Sequence, residues 1–394
     1  MSHRPVIGLA LALALPACGP SDSKSAAPTT QLAADLSAML DSALGATPGL
    51  PGAMLRVEAP SLGFVWTRAV GWSDRTRRDS LRVEQPLRIA SNTKTYVAAA
   101  TLRLVETGKL GLDQPIAPHL LRGSISALET DSYRPDLITV RMLLQHTSGI
   151  ADYATTGVGS SAMALYGPFF DRIIADPTHR WTRAEQLALA ISAGEPYGKP
   201  GETYHYSDTG YNLLGEIIET VTNKPMHMAV RELLGFDRLG LTRTWFETLD
   251  SIPAGSLPRV HQYLDSLDTN EFDGSIDLYG GGGLMSNLED LARFYRALLR
   301  GSVFSNRATL DSMLVMSPQS LREGGGYGMG IGRATYDDVL CFGHGGFWGT
   351  AARHCPALDL TVTAAVNTTT ARAALAAIVQ GAIGRTAAAI AARP

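Results

Sequence analysis

The chain has 394 residues, 45% hydrophobic and 18% charged, which suits a globular protein with a large core and excludes a disordered one. Lys and Arg total 34 against 37 Asp and Glu, a net charge of −3, so the broad basic surface that nucleic acid requires is absent and no nucleic-acid partner is expected. Arg75, Arg77, Arg78 and Arg82 cluster, but Asp74, Asp79 and Glu84 interrupt them, as in a solvated loop.

His3 and Arg4 precede an apolar run over residues 6–15. That run is too short to span a bilayer and suits a signal-peptide core, expected over residues 1–17. Ala17 before Cys18 resembles a bacterial lipoprotein processing site, which implies lipid on Cys18 and an exported, periplasmic or cell-envelope location. Residues 18–30 are rich in Gly, Pro, Ser, Ala and Thr and read as a flexible tether. Leu32, Leu36, Met39, Leu40 and Ala43 then recur at helical spacing, predicting a helix over 31–44. Residues 53–58 and 64–71 read as strands around a turn at 60–63. A helix opens at Ser91 and runs to Val105, before Gly108 and Gly111.

From about 115 to 265 the signals change. Helices are predicted over 139–145, 183–192 and 211–222, with Pro- and Gly-rich loops between them and few strand signals. A helix over 287–299 follows, with Glu289 and Asp290 in its first turn. Strands are predicted over 327–332, 339–343 and 360–367, and a closing helix over 371–388. Strands near both ends and helices between them predict an α+β fold: an antiparallel sheet flanked by helices, with an inserted all-helical region. The expected division is 31–114 with 266–394 as the sheet domain and 115–265 as the helical domain. Cys341 and Cys355 each lie seven residues from Trp348, so a symmetric hairpin would set them opposite each other as a disulfide.

Three groups of residues carry chemistry. In Ser91-Asn92-Thr93-Lys94, positions i and i+3 share a helix face, about 5–6 Å apart, so a hydroxyl meets a basic amine. A helix N-terminus also offers N–H groups to a developing oxyanion. Tyr206-Ser207-Asp208 places a phenol that would relay protons if Lys94 lowers its pKa. His344-Gly345-Gly346 ends a strand, where glycines and a free edge admit an extended substrate.

In this order the three groups resemble the motifs of the penicillin-recognising serine enzymes, the serine β-lactamases and D-alanyl-D-alanine peptidases, nearest the class C-like branch. Residues 143–150 (LLQHTSGI), 200–202 (PGE) and 281–286 (GGGLMS) resemble neighbouring family text. The resemblance implies that Ser91 is acylated, that Lys94 helps take its proton and that Tyr206 passes a proton to the leaving group. It also implies that His344 donates toward a substrate carboxylate or relays a proton. The oxyanion hole would be the N–H groups of Ser91 and Phe347, beside Gly345 and Gly346. Asp208 departs from the family's usual asparagine. A carboxylate only accepts hydrogen bonds, favours the Lys94 ammonium, or pairs with His344.

Residues 327–332 (YGMGIG) lack the context of a nucleotide loop, and Cys341, His344, His354 and Cys355 fit a hairpin better than a zinc site. No cofactor and no metal is expected. The expectation is a serine hydrolase on a small peptide, β-lactam or ester, with D-alanyl-D-alanine carboxypeptidase ranked first. A β-lactamase, an esterase or amidase, and a non-catalytic cell-wall-peptide-binding lipoprotein are the alternatives. The only expected membrane contact is the N-terminal lipid.

Overall fold

The computed structural model describes Met1 and residues 23–155, 167–193 and 196–393. Cys18 and the expected signal peptide beyond Met1 lie outside the described residues. Six antiparallel strands, numbered in chain order, build the main sheet: β1 (Gly52–Ala59), β2 (Phe64–Gly71), β3 (Gly332–Tyr336), β4 (Val339–Gly346), β5 (Thr350–Cys355) and β6 (Leu360–Val366). Their spatial order is β2-β1-β6-β5-β4-β3, so the two ends of the chain meet where β1 pairs with β6, Ala53 opposite Val366.

Strand β6 is buried at every position because helices cover both faces. Its Leu360, Val362, Ala364 and Val366 face α1 (Ser23–Ala46) and the closing helix Arg372–Ala391, packing with Leu36, Leu40, Ile378 and Ala382. On the other face Thr363 Oγ1 donates to Leu288 O at 2.9 Å, at the head of the helix Leu288–Leu299. This period of two makes each face a separate core. Truncating Leu36, fully buried, to Ala would cost about 2–5 kcal/mol.

Two sequence expectations change. The helix α1 begins at Ser23, so residues 23–30 of the expected tether are helical. Once the helix is nucleated by docking its later turns on the sheet, each added residue gains a backbone hydrogen bond without a new nucleation cost. The strand expected over 327–332 is instead a turn. Gly328 N donates to Ile331 O at 2.8 Å, Gly330 has φ +71°, and β3 starts only at Gly332. A Cβ on Gly330 would lie 2.4 Å from the Ala98 methyl, so the glycine run presses this turn onto α2 (Asn92–Glu106). In the β4–β5 hairpin Thr350 opposes Gly346 and His354 opposes Phe342. That register sets Cys341 against Cys355, and they form a disulfide. The bond removes both thiols as metal ligands.

Candidate active site

Ser91 is the N-cap of α2, preceded by Ala90 in the left-handed region at φ +46°. That conformation costs a non-glycine residue roughly 1 kcal/mol or more, and the surroundings hold it. Asn92 Nδ2 donates to Ile89 O at 3.1 Å and to Thr350 Oγ1 at 3.0 Å, and Thr350 Oγ1 donates to Ile89 O at 3.1 Å. A Cβ on Gly346 would lie 2.3 Å from Ile89 O. The end of β4 therefore abuts the turn that carries Ser91, which sets Phe347 beside the serine. β3 pairs with β4 only as far as Gly343, so His344, Gly345 and Gly346 have no strand partner on that side among the described residues. Gly345 is exposed and open, free for an approaching backbone.

Lys94, one helical turn on, is fully buried. Its Nζ donates to Ser91 Oγ at 3.0 Å and to Gly281 O at 2.6 Å, and it pairs with the Asp208 carboxylate. Three acceptors are what the three hydrogens of an ammonium need. Gly281 reaches Lys94 because its loop is glycine: a Cβ on Gly282 would collide with the Asp277 carboxylate at 1.8 Å. Asp208 enters the site because its helix (Asp208–Thr222) starts three residues before the predicted 211, capped by Ser207 Oγ, which accepts from Gly210 N at 3.3 Å. Its carboxylate lies at the positive end of the helix. It pairs with Lys94 and not with His344.

Tyr206 lines the same cavity as Ser91, and its ring centroid is 4.9 Å from Lys94 Nζ. The expected lowering of its pKa is overturned. Removal from solvent pushes the phenol well above its ordinary 10.0, and the Asp208 charge adds to this. With Asp208 neutralising the lysine, the ammonium does not draw the phenol down. His344 also differs from expectation. Its Nδ1 lies 2.7 Å from Gly345 O, a pure acceptor, so Nδ1 carries the hydrogen. Nε2 then accepts from the Tyr327 hydroxyl at 2.9 Å. The donor expected to face substrate is thus used internally, and burial first, then the charges of Lys94 and Arg353, lower the imidazole to about 3. It is neutral at physiological pH.

Sequence reasoning missed Tyr327, hidden in the run read as a strand, and two carboxyl groups. Asp152 Oδ1 accepts from Asp208 N at 3.2 Å, and its Oδ2 accepts from Thr155 Oγ1 at 2.7 Å. Asp277 stands by Gly281 and Gly282. Burial and the Asp208 charge push Asp152 up to about 7 and Asp277 up to about 8. The available signal for Asp277 was its place four residues before the 281–283 glycines. His146 accepts from Ser207 N at Nδ1 (3.1 Å), and its ring lies tilted against the Tyr206 ring with centroids 4.2 Å apart. It props up the tyrosine segment.

A cavity of about 370 Å³ opens at Ser91, with Tyr206, Asp208, Asp152 and Asp277 on one side and Phe169, Phe170, Ile173, Phe347 and Trp348 on the other. A second depression, along β4, shares Ser91, Tyr206 and Phe347 and carries Arg353 and Arg372. Ser91 thus sits between an acidic, aromatic side and a basic side.

Residues 45–383 match the family model described as Beta-lactamase. Esterase EstB of Burkholderia gladioli is 28% identical over 371 residues, covering 86% of this chain and 91% of that enzyme. The D-stereospecific amidohydrolase of Streptomyces sp. superposes with a TM-score of 0.68 at 28% identity, covering 86% of this chain and 94% of that one. The D-amino acid amidase of Ochrobactrum anthropi SV3 shares the fold at a TM-score of 0.72 and 21% identity, over 91% of this chain and 99% of its own. The protein belongs to the β-lactamase family of serine hydrolases, with the helix headed by Ser91 set against an antiparallel sheet.

Proposed function

We propose that the protein hydrolyses small esters and amides through an acyl-enzyme on Ser91. The observation that carries the reading is the hydrogen bond of Lys94 Nζ to Ser91 Oγ at the head of a helix, with the Tyr206 ring against the same lysine. Ser91 Oγ forms a bond to the substrate carbonyl carbon, and its proton passes through Lys94 and Tyr206 to the departing oxygen or nitrogen as that bond breaks. Lys94 first yields a proton to Asp208, since an ammonium cannot accept one. Tyr206, neutral in the free enzyme, donates to the leaving group. The N–H groups of Ser91 and Phe347 face the oxyanion. Water then cleaves the ester to regenerate the serine. The presence of an esterase and an amidohydrolase among the relatives supports this substrate range.

A D-alanyl-D-alanine carboxypeptidase is the second reading, favoured by Arg353 and Arg372, cations suited to a terminal carboxylate. Asp208 counts against it, because it cannot donate to a peptide carbonyl as the family's asparagine does. Export and lipidation at Cys18 remain part of the proposal, on the pattern of residues 1–18 alone. The test is a panel of p-nitrophenyl butyrate, a D-Ala-D-Ala peptide and nitrocefin, with fluorophosphonate labelling of wild type and Ser91→Ala. Ester turnover and labelling that both need Ser91 are expected. Peptide turnover alone would move the second reading to first place. Absence of all turnover and labelling refutes both.

A further inference from the structure

Within the proposed hydrolase, the cavity beside Ser91 holds more carboxyl groups than the protein pairs with cations. Asp152, Asp208 and Asp277 all line it. Asp208 and Asp277 flank one point: a Cβ on Gly281 would lie 3.2 Å from Asp208 Cγ and 3.3 Å from Asp277 Oδ1. Lys94 touches this cluster, but Ser91, Gly281 and Asp208 already engage it. Arg88 is committed to Glu247 and to the carbonyls of Thr269 and Phe272. Asp152 is held by Thr155 and by the backbone N–H groups of Ala154 and Asp208. Among the described residues, the buried Asp277 Oδ1 has no hydrogen-bond partner. A buried acceptor left unmatched costs about 1–3 kcal/mol, so such a group marks a place that a ligand completes.

The opposite wall supplies the second half of the recognition. Phe169, Phe170, Ile173, Phe347 and Trp348 offer apolar and aromatic surface to the same space. Asp208 contacts the lysine whose Nζ is 3.0 Å from Ser91 Oγ, so the acidic face lies within a few bonds of the carbonyl under attack. We infer that the cavity selects the acyl half of the substrate, taking an α-amino acyl group whose amine donates to Asp277 and whose apolar or aromatic side chain fills the aromatic wall. The preferred substrates are therefore amides or esters of amino acids with a free amine. A site built for a donor rejects the analogue that lacks it, because its own acceptor is then left unpaired.

The test compares kcat/KM for phenylalanine p-nitroanilide, each enantiomer separately, with 3-phenylpropionyl p-nitroanilide, which lacks only the amine. In the wild type the amine-bearing substrate should be favoured about tenfold or more for the better enantiomer. In Asp277→Asn that ratio should fall severalfold. A des-amino anilide cleaved as well or better overturns the inference, as does a ratio unmoved by Asp277→Asn. The wild-type ratio is decisive even if the variant does not fold. Cleavage of p-nitrophenyl butyrate without either anilide sinks this inference and leaves the hydrolase reading standing. Cleavage of none of the three sinks both.

Discussion

The two sides of Ser91 are built on opposite principles. Along β4 the polar side chains are engaged within the protein. His344 bonds Gly345 and Tyr327, Arg353 bonds Tyr336 and the carbonyl of Ala352, and Arg372 lies over the Phe347 ring. In the cavity, carboxyl groups crowd together, two of them have raised pKa values, and Asp277 Oδ1 stands unpaired. A satisfied wall holds its shape and aligns whatever reacts, whereas an unsatisfied one gains most from the ligand that completes it. On the proposed reading the strand side sets reaction geometry, and the cavity side sets choice of substrate.

The comparison is most exposed at the shared centre. Ser91→Ala should lower kcat/KM for every substrate by about 10⁴-fold or more, with the fold retained by circular dichroism. Substantial residual turnover would place the reaction on one side only. Tyr206→Phe keeps the ring against His146 and removes the hydroxyl; a loss of about 10²–10⁴-fold in kcat is expected, larger for anilides than for activated aryl esters. Equal losses for both would remove the leaving-group role.

Asp208→Asn addresses the cavity side. The Asp208 charge raises Asp152 and Asp277, so its removal lowers both toward their ordinary 3.8. Any inflection they give the pH profile of kcat/KM should move to lower pH, with a roughly tenfold change in kcat/KM. An unmoved profile would separate Asp208 from the cluster. The smallest effect belongs to His344. With the imidazole lowered to about 3, the strand side should add no inflection near 6.5, and His344→Gln should leave the position of the acid limb unchanged. In stability the sign follows from the same depression. The unfolded chain takes up the proton below 6.5 and the folded one only near 3, so His344 costs stability as pH falls through that window. His344→Gln should flatten the fall of Tm with acid, and a steeper fall would contradict a neutral His344.

Much of the site was legible because its chemistry is local. Ser91 and Lys94 lie one helical turn apart, and the nitrogen and oxygen meet at 3.0 Å. The hairpin was legible because its arms are symmetric about a short turn, which pairs Cys341 with Cys355. The turn over 327–331 was not, since its glycines answer to the packing of α2. The direction of the Tyr206 shift was not legible either, because it depends first on burial and then on a carboxylate that a helix start, three residues early, aims at Lys94.

By itself the order of residues determined an α+β chain with strands near both ends, a serine and a lysine on one helix face, and a tyrosine and a histidine motif downstream. Only the tertiary structure decided which charges face one another. Asp152, Asp208 and Asp277 are 56 and 69 residues apart in succession, and no local periodicity links them. Electrostatic interaction depends on distance through space and on exclusion of water, and both arise only when the glycine loop at 280–283 closes over Lys94.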